Sequence, residues 1–98
     1  MKPSVLIRAE AQADLDEAYR WYQRQREGLG TDFLLCVEEA VETIRRSPEA
    51  YPIIHKEVRR GFIRRFPYGV FYLVEEDQIV VIGVFHARRD PRQWESRA

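Results

Sequence analysis

The stretch Val84–Trp94, VFHARRDPRQW, concentrates side chains that could carry chemistry near the end of the chain. His86 is of the residue type most often used for proton transfer near neutral pH. Arg88 and Arg89 could clamp an anion, although arginine stays charged in proteins and is a poor acid or base. Trp94, like arginine, is a residue type enriched at interface hot spots. The stretch is therefore consistent with a catalytic cluster, with a binding site for an anion or a protein partner, or with a charged segment that simply follows the last strand.

Other catalytic arrangements find little support in the sequence. Cys36 is the single cysteine, so the chain has neither a disulfide framework nor the spacing of a cysteine metal site. Ser4, Ser47 and Ser96 lack a glycine-rich elbow around them, and no phosphate-binding loop of the Walker type is present. We therefore expect no metal and no cofactor.

Two amphipathic helices must position the stretch. Apolar residues recur at helical spacing in the first of them, at Ala11, Leu15, Ala18, Tyr19 and Tyr22. Gly28 and Gly30 are expected to end this helix, with Thr31 or Asp32 capping the next. The second helix has its own apolar stripe and stops at SPEAYP; the stripe comprises Phe33, Val37, Ala40, Val41 and Ile44.

The remaining segments have the pattern of strands. SVLIRA, before the helices, is a short segment rich in residues that favour strands. After the helices come three more candidate strands, VRRGFIRRF, YGVFYLV and IVVIGVFH. The short turn EEDQ predicts that the last two segments pair as an antiparallel hairpin. Ile79–Phe85 is apolar on both faces, which marks a central strand, and Gly83 within it indicates a bend. We predict an α+β fold, β-α-α-β-β-β, with a helical hairpin packed on one face of a three- to four-stranded antiparallel sheet.

Such a fold leaves one face of the sheet without a helix. We expect this face to stay partly open, and an apolar face rimmed with arginines is typical of a protein-binding surface. The pattern leaves open which face of VRRGFIRRF meets the helices, that of Arg60 and Phe62 or that of Arg59 and Ile63.

Composition bounds the class of protein. With 98 residues, 45% hydrophobic and 12% aromatic, the chain fits one globular domain over residues 1–98. No run approaches the ~18 apolar residues of a membrane span, and a signal-peptide core is lacking, so we expect a cytoplasmic protein without a membrane partner. Residues 1–57 contain 8 Lys and Arg and 11 acidic residues, whereas residues 58–98 contain 8 Arg and 5 acidic residues. This asymmetry predicts a local positive face rather than a general nucleic-acid binder.

Three features of the sequence point to a known family: the element order, SPEAYP after the second helix, and FPYGVFY followed by VFHARRDPRQW. With these features the chain resembles the RelE/ParE superfamily over Val5–Trp94. These proteins are the toxins of type II toxin–antitoxin modules, often described as plasmid stabilisation proteins. The ending of the chain is more similar to the ParE branch than to the RelE branch.

The resemblance implies a toxin that arrests growth. A small cognate antitoxin would neutralise it by wrapping it with a C-terminal segment, and operator DNA would be contacted only through that antitoxin. ParE-like toxins are associated with inhibiting DNA gyrase and blocking replication, without a known enzymatic activity, and the ParE-like ending favours this function. The alternative is a RelE-like, ribosome-dependent mRNA endonuclease that arrests translation. A non-toxic protein-binding domain of the same fold is the second alternative.

The RelE-like alternative has few candidate catalytic residues in this chain. Cleavage by the 2′-hydroxyl of RNA needs a base, an acid and cations around the phosphate. It would rest on His86 with Arg64 and Arg88, and the further possible proton carriers are Tyr72, Glu57 and His55. The lysines and the late tyrosine of RelE-like sites have no counterpart here. His86 also has a purely structural interpretation, in which its ring bonds a backbone carbonyl. We therefore favour a non-enzymatic protein.

Recognition accounts better for the same residues. We predict that Arg65, Arg88, Arg89 and Trp94 bind the target. Asp90 is expected to cap a short final turn, which would place Trp94 over the sheet as a plug or as a contact.

Other apolar side chains are candidates for the antitoxin. Trp21 and Leu35 lie off the apolar stripes of their helices, and Phe62 and Phe71 belong to the strands next to the open face. We predict that these four residues contact the antitoxin.

Overall fold

The computed structural model describes residues 2–98. Its elements follow in the order β1 (Ser4–Ile7), α1 (Ala9–Gln25), α2 (Leu29–Arg46), β2 (Ile53–His55), β3 (Val58–Phe62), β4 (Tyr68–Glu75), β5 (Gln78–His86) and α3 (Arg92–Glu95). The predicted α+β class and order of elements are confirmed, with β2 and α3 as short additions. None of the helices in this part of the chain combines the length and apolar character needed to cross a bilayer.

The helical hairpin turns more tightly than the sequence suggested. Gly28 adopts the left-handed conformation at φ 90°, which glycine does at little cost, and α2 begins at the next residue. Thr31 and Asp32 therefore lie inside α2 and do not cap it, contrary to the prediction. Gly30 lies against α1 so closely that an added Cβ would be 2.6 Å from the carbonyl oxygen of Tyr19.

The strands form one sheet in the order β1-β5-β4-β3-β2. The predicted β4–β5 hairpin is confirmed. β4 is the central strand of the five, and β5, which we predicted to be central, is an interior strand with β1 and β4 on its two sides. β1 runs parallel to β5, pairing Ser4–Ile7 with Gln78–Val81. The sheet is thus mixed and has five strands, where we predicted three or four antiparallel ones. The direction of β1 depends on a partner at the far end of the chain, which local periodicity does not specify.

A β-bulge bends the second half of β5. Tyr72 pairs with Val81 and Phe71 with Gly83, so Ile82 is an extra residue on β5. An added Cβ at Gly83 would lie 2.5 Å from Cε2 of Phe85. The bend predicted from Gly83 is therefore present, and a larger side chain there would have to displace a buried ring.

Both faces of the sheet bury side chains. The core under the helices includes Leu15, Phe33, Ile44, Val70, Tyr72 and Val81. The far face has a second cluster of Val58, Phe71, Val80, Ile82, Phe85 and Trp94. Trp94 of α3 stacks on Phe71 with 5.0 Å between ring centres. The far face is therefore largely closed, and the predicted open surface is limited to its margin, where Phe62 is 62% exposed.

The orientation of β3, which the sequence left open, follows from the packing of Gly61. A Cβ added to Gly61 would lie 2.8 Å from Cδ1 of Ile44, so this residue faces α2. Its neighbours Arg60 and Phe62 face the opposite side, where the guanidinium of Arg60 lies 5.0 Å from the centre of the Phe62 ring. The face that includes Arg59 and Ile63 is thus the one that meets the helices.

Gly30→Ala tests the close approach of α1 and α2. Alanine improves helix propensity by about 1 kcal/mol, but its Cβ must push the backbone of Tyr19 away. We expect a net loss of about 1–2 kcal/mol in the free energy of unfolding, measured by urea denaturation. The neighbouring exposed change Thr31→Ala serves as control and should stay within about 0.5 kcal/mol. An alanine variant as stable as the parent would show that the helices are not in tight contact.

Candidate functional site

Four of the predicted site residues meet in a cleft between α1 and the end of β5. This α1–β5 cleft has a volume of about 560 Å³ and is lined by Asp14, Glu17, Ala18, Trp21, Tyr22, Arg24, Tyr68, Val84, His86, Arg88, Arg89 and Asp90. Trp21, a predicted antitoxin contact, lines the same cleft as His86, Arg88 and Arg89. The helix and the strand that hold these residues are distant in the sequence, and only the fold brings them together.

An ion pair holds the inner wall of the cleft. Nη1 of Arg97 donates to Oδ2 of Asp14 at 2.6 Å and Nη2 to Oδ1 at 3.2 Å. The same carboxylate accepts the N–H of Val84 at 3.0 Å, and Nη1 also donates to the carbonyl of Ile82 at 3.1 Å. These backbone groups belong to β5 beyond the end of β1. The Asp14–Arg97 pair therefore supplies hydrogen-bond partners to backbone groups at the edge of β5, at positions that β1 does not reach.

Arg97 also holds the C-terminal segment against the sheet and against Arg8. Its guanidinium lies 4.5 Å from the centre of the Phe85 ring, and its carbonyl accepts a bond from Nη1 of Arg8 at 3.4 Å. The side chains of Asp14 and Arg97 are 15% and 23% exposed, so both charges are partly withdrawn from water. Neither residue was among the predicted site residues. They are 83 positions apart, and neither belongs to a local pattern.

His86 has a structural role at the exit of β5. Its Nδ1 accepts the N–H of Arg88 at 3.0 Å, and its ring packs edge-on against Tyr68 at 5.3 Å. The ring thus bonds a backbone N–H, where we expected a carbonyl. Because Nδ1 is an acceptor, the neutral ring has its proton on Nε2. His86 shapes the turn that presents Arg88, and only Nε2 is left for proton transfer.

The tyrosines near this region are poor proton carriers. The hydroxyl of Tyr72 donates to the carbonyl of Pro48 at 2.7 Å, away from the cleft. Burial raises the pKa of Tyr72 to about 12. Burial also raises the pKa of Tyr68, which lies in the cleft, against an opposing effect of Arg89. Both hydroxyls therefore stay protonated near neutral pH.

Two predicted arginines lie outside the cleft, between β3 and β4. Nε of Arg64 is 3.4 Å from Oε1 of Glu39 at an exposed position. Arg65 adopts a left-handed conformation at φ 71°, and its Nη2 is 3.7 Å from Oδ2 of Asp32. The structure therefore brings His86 and Arg88 together, but does not bring Arg64 to them. The role of Arg65 in target binding stays a prediction.

In the part of the chain that the structure describes, the cleft carries three arginines without a carboxylate partner and one carboxylate, Glu17, without a cationic partner. Within residues 2–98, Arg24 and Arg88 have no carboxylate within 4 Å, and Arg89 donates to the neutral side chain of a glutamine at 2.8 Å. Asp90 is paired with Arg92 at 2.7 Å, and the hydrogen bonds from that guanidinium lower the pKa of its carboxyl group. Three arginines therefore present charge that an acidic partner could neutralise.

The predicted partner contacts differ in their access to solvent. Phe62, Leu35 and Trp21 are 62%, 58% and 49% exposed, and they lie on three different elements. Phe71 is only 3% exposed, because Trp94 covers it. A contact between the antitoxin and Phe71 would require α3 to move, so Phe71 is not accessible for the predicted antitoxin contact in this structure. Trp94 is 9% exposed and has the position of a plug, one of the two roles expected for it.

Asp90 lies just before α3 and bonds its first turn. Pro91 already has helical angles, φ −54° and ψ −28°, and Oδ1 of Asp90 accepts the N–H of Arg92 at 3.0 Å. Asp90 therefore bonds the first turn from the residue before Pro91, as predicted. Across residues 2–98, His, Cys, Asp and Glu side chains form no group of three or more that could hold a metal ion. The arginines of the cleft are suited to charge-assisted recognition.

Comparison with known proteins points to one superfamily. A family model described as the ParE toxin of type II toxin–antitoxin systems, parDE, matches residues 5–91. The solved chromosomal ParDE system from P. aeruginosa matches with a TM-score of 0.77 and 19% identity, covering 87% of this chain and 96% of that chain. The RelBE2 toxin–antitoxin complex from Mycobacterium tuberculosis matches with a TM-score of 0.61 and 17% identity, covering 88% and 99%. At these identities the two structures establish likeness of fold alone. The curated proteins contain no significant match.

The variant Tyr72→Phe tests the buried tyrosine. At pH 8 it should be less stable by about 1 kcal/mol, because the bond to Pro48 is lost. A raised pKa stabilises the folded protein below pH 10, and this contribution is lost as pH rises toward 12. The gap between parent and variant should therefore be smaller at pH 11 than at pH 8 when both are unfolded in urea. An equal gap at the two pH values would contradict the assignment.

Proposed function

Because the chain belongs to the ParE toxin family of type II toxin–antitoxin systems, we propose that it arrests growth by binding DNA gyrase and blocking replication. The observation that carries this proposal is the composition of the α1–β5 cleft, which presents three arginines and a half-exposed tryptophan, the residue types typical of protein interfaces. Such a surface favours binding over bond cleavage.

The chemistry of RNA cleavage supports this preference. A general acid and a general base must both reach the reacting oxygens, and arginine supplies neither at neutral pH. His86 uses Nδ1 to hold the turn, and Tyr72 is buried with its hydroxyl bonded elsewhere. Arg88, Arg89 and Trp21, by contrast, have the properties of interface residues: fixed charge and a rigid apolar surface.

We infer that a cognate antitoxin is the second partner. Both solved structures named above are toxin–antitoxin systems, and the exposed side chains of Trp21, Leu35 and Phe62 offer apolar area to such a protein. In this proposal operator DNA is reached only through the antitoxin, and the toxin acts in the cytoplasm, where gyrase works.

A ribosome-dependent endonuclease is the second candidate. The observation in its favour is that His86 and Arg88 line the same cleft, so a cation and the Nε2–H of one imidazole could face the same phosphate. The two candidates differ in what stops first after induction. Gyrase inhibition predicts early arrest of DNA synthesis, and endonuclease action predicts early arrest of protein synthesis with cut messages. A non-toxic binding domain would stop neither.

Substitutions in the cleft separate binding from catalysis. Arg88→Ala with Arg89→Ala should abolish toxicity, because each charge-assisted contact at a desolvated interface is worth ~2 kcal/mol, or more than tenfold in affinity. Both residues are exposed, so the melting temperature should change little. His86→Ala should lower toxicity only in part, because it removes the bond that shapes the turn before Arg88 but keeps both charges. Colony formation after induction, with pulse labelling of DNA and protein, measures each effect.

A matched control is the pair Arg20→Ala and Arg46→Ala, two exposed arginines outside the cleft lining. This variant should keep full toxicity. The proposal fails if the Arg88 and Arg89 variant remains toxic while His86→Ala is harmless and both are folded. That result would support the endonuclease instead.

A further inference from the structure

The outer edge of β1 is open. The N–H groups of Ser4 and Arg8 donate to backbone carbonyls of the neighbouring β5 segment, each at 3.0 Å, so these residues direct their backbone toward β5. Backbone direction alternates along a strand, and the N–H and C=O groups of Val5 and Ile7 therefore point away from β5. β1 stands at the end of the strand order, and over residues 2–98 no strand lies beyond it. These outward groups are thus free to pair with a strand from another chain.

The two edges of the sheet differ in how they are protected. The sequence of β1, SVLI, contains no charge and no proline, its register with β5 is regular, and Leu6 is 48% exposed. β2, at the other edge, has only three residues and an irregular register, and Lys56 follows it with a positive φ of 51°. Short length, charge and irregularity oppose pairing between sheet edges, whereas a regular apolar edge promotes it. β1 is therefore the edge suited to a partner strand.

The outer edge of β1 is complementary to a second copy of itself. In an antiparallel pair with a two-fold axis at Leu6, Val5 lies opposite Ile7 of the second copy, and Ile7 lies opposite Val5. Both are hydrogen-bonded positions, so every outward N–H and C=O group of Val5 and Ile7 finds a partner at once. Leu6 then lies opposite its own copy at the closely spaced position between them, where apolar side chains pack. A symmetric dimer is the usual result of such a self-complementary surface.

The surroundings of the edge favour the same arrangement. An apolar groove of about 510 Å³ lies beside β1 on the helix side, and Val5 and Ile7 line it together with apolar residues of α1 and α2. Additional apolar side chains from a second copy would meet this groove at the junction of the two sheets. Glu10 is exposed and has no cation within 4 Å among residues 2–98. The two-fold register brings it toward the exposed Lys2 of the second copy, which has the opposite charge.

We propose that two copies of this chain form a symmetric dimer through antiparallel pairing of β1, which joins their sheets into one continuous sheet. The dimer carries two α1–β5 clefts related by the two-fold axis. A contact centred on four residues of each chain belongs to the small class of interfaces, below about 1,200 Å², that form weakly and reversibly. This inference does not depend on the proposed function, because it concerns the free chain and a different edge of the sheet.

Sedimentation equilibrium of the purified chain tests dimer formation. The average mass should rise from 11.7 kDa toward twice that value as the concentration rises from about 1 to about 200 μM. Leu6→Asp should weaken the dimer at least about tenfold, because two carboxylates would lie opposite each other. Leu35→Asp makes the same change at another exposed leucine, on α2, and should dimerise like the parent. Urea unfolding of each variant at about 1 μM shows that the monomers are folded.

A mixing experiment tests the register. Leu6→Lys by itself should also be weakened at least about tenfold, since like charges again face each other. An equimolar mixture of the Leu6→Lys and Leu6→Asp chains should recover a dimer, because only the two-fold register places position 6 of one chain opposite position 6 of the other. In the parent, the amides of Val5 and Ile7 should exchange at least about tenfold more slowly at high than at low concentration.

The outcomes decide between a second copy and other occupants of this edge. A mass of 11.7 kDa at every concentration would refute the dimer. A dimer that is unaffected by Leu6→Asp, or Leu6 variants that remain monomeric when mixed, would show that β1 does not pair in this register and would overturn the proposal. If the free chain is monomeric and Leu6→Asp weakens binding of the antitoxin instead, the edge belongs to that partner and the proposal also fails. Arrest of growth by the chain is measured separately and is compatible with each of these results.

Discussion

The ion pair between Asp14 and Arg97 is the interaction on which the functional end of this fold depends. It joins the first helix to the penultimate residue of the chain across the edge of β5. Partial burial of two charges carries a desolvation penalty, which the two-point geometry and the bonds to Val84 and Ile82 offset. Loss of either partner would leave a partly buried charge together with an unpaired backbone group. The pair is therefore a structural requirement for the cleft.

The closure of the far face also depends on this attachment. α3 is only four residues long, and a helix of that length has no stability of its own. It stays in place through the stacking of Trp94 on Phe71 and through Arg97, which lies over Phe85. One C-terminal segment thus covers the second apolar cluster and, through Arg97, also supports the inner wall of the cleft. Recognition residues on the exit from β5 are consequently presented by a rigid scaffold.

Local patterns in the sequence were sufficient for much of this architecture. The helical stripes, the β4–β5 hairpin and the bend at Gly83 depend on residues that are near each other in the chain. The cluster of His86, Arg88 and Arg89 was found for the same reason, since one stretch supplies all three. Asp90 was correctly assigned as a cap because capping is a local interaction.

The features that the sequence did not disclose are long-range. The parallel pairing of Ser4 with Gln78 joins the two ends of the chain, and no periodicity specifies its direction. The final turn predicted that Trp94 lies over the sheet, but no local pattern indicates that it covers Phe71, which we predicted to be an antitoxin contact. Arg64 lies in the same kind of arginine-rich run as Arg88, yet the turn after β3 directs it toward Glu39. Asp14 and Arg97 are far apart in the sequence, and no motif or periodicity links them.

The most direct test of this account is a double-mutant cycle on that pair. Asp14→Ala, Arg97→Ala and the double variant are compared with the parent by urea unfolding, and exchange of the Val84 amide is followed in each. We expect a coupling energy of about 1–3 kcal/mol and faster exchange at Val84 when Asp14 is replaced. A coupling energy below about 0.5 kcal/mol, with Val84 still protected in all variants, would contradict the claim that the pair holds the edge of β5.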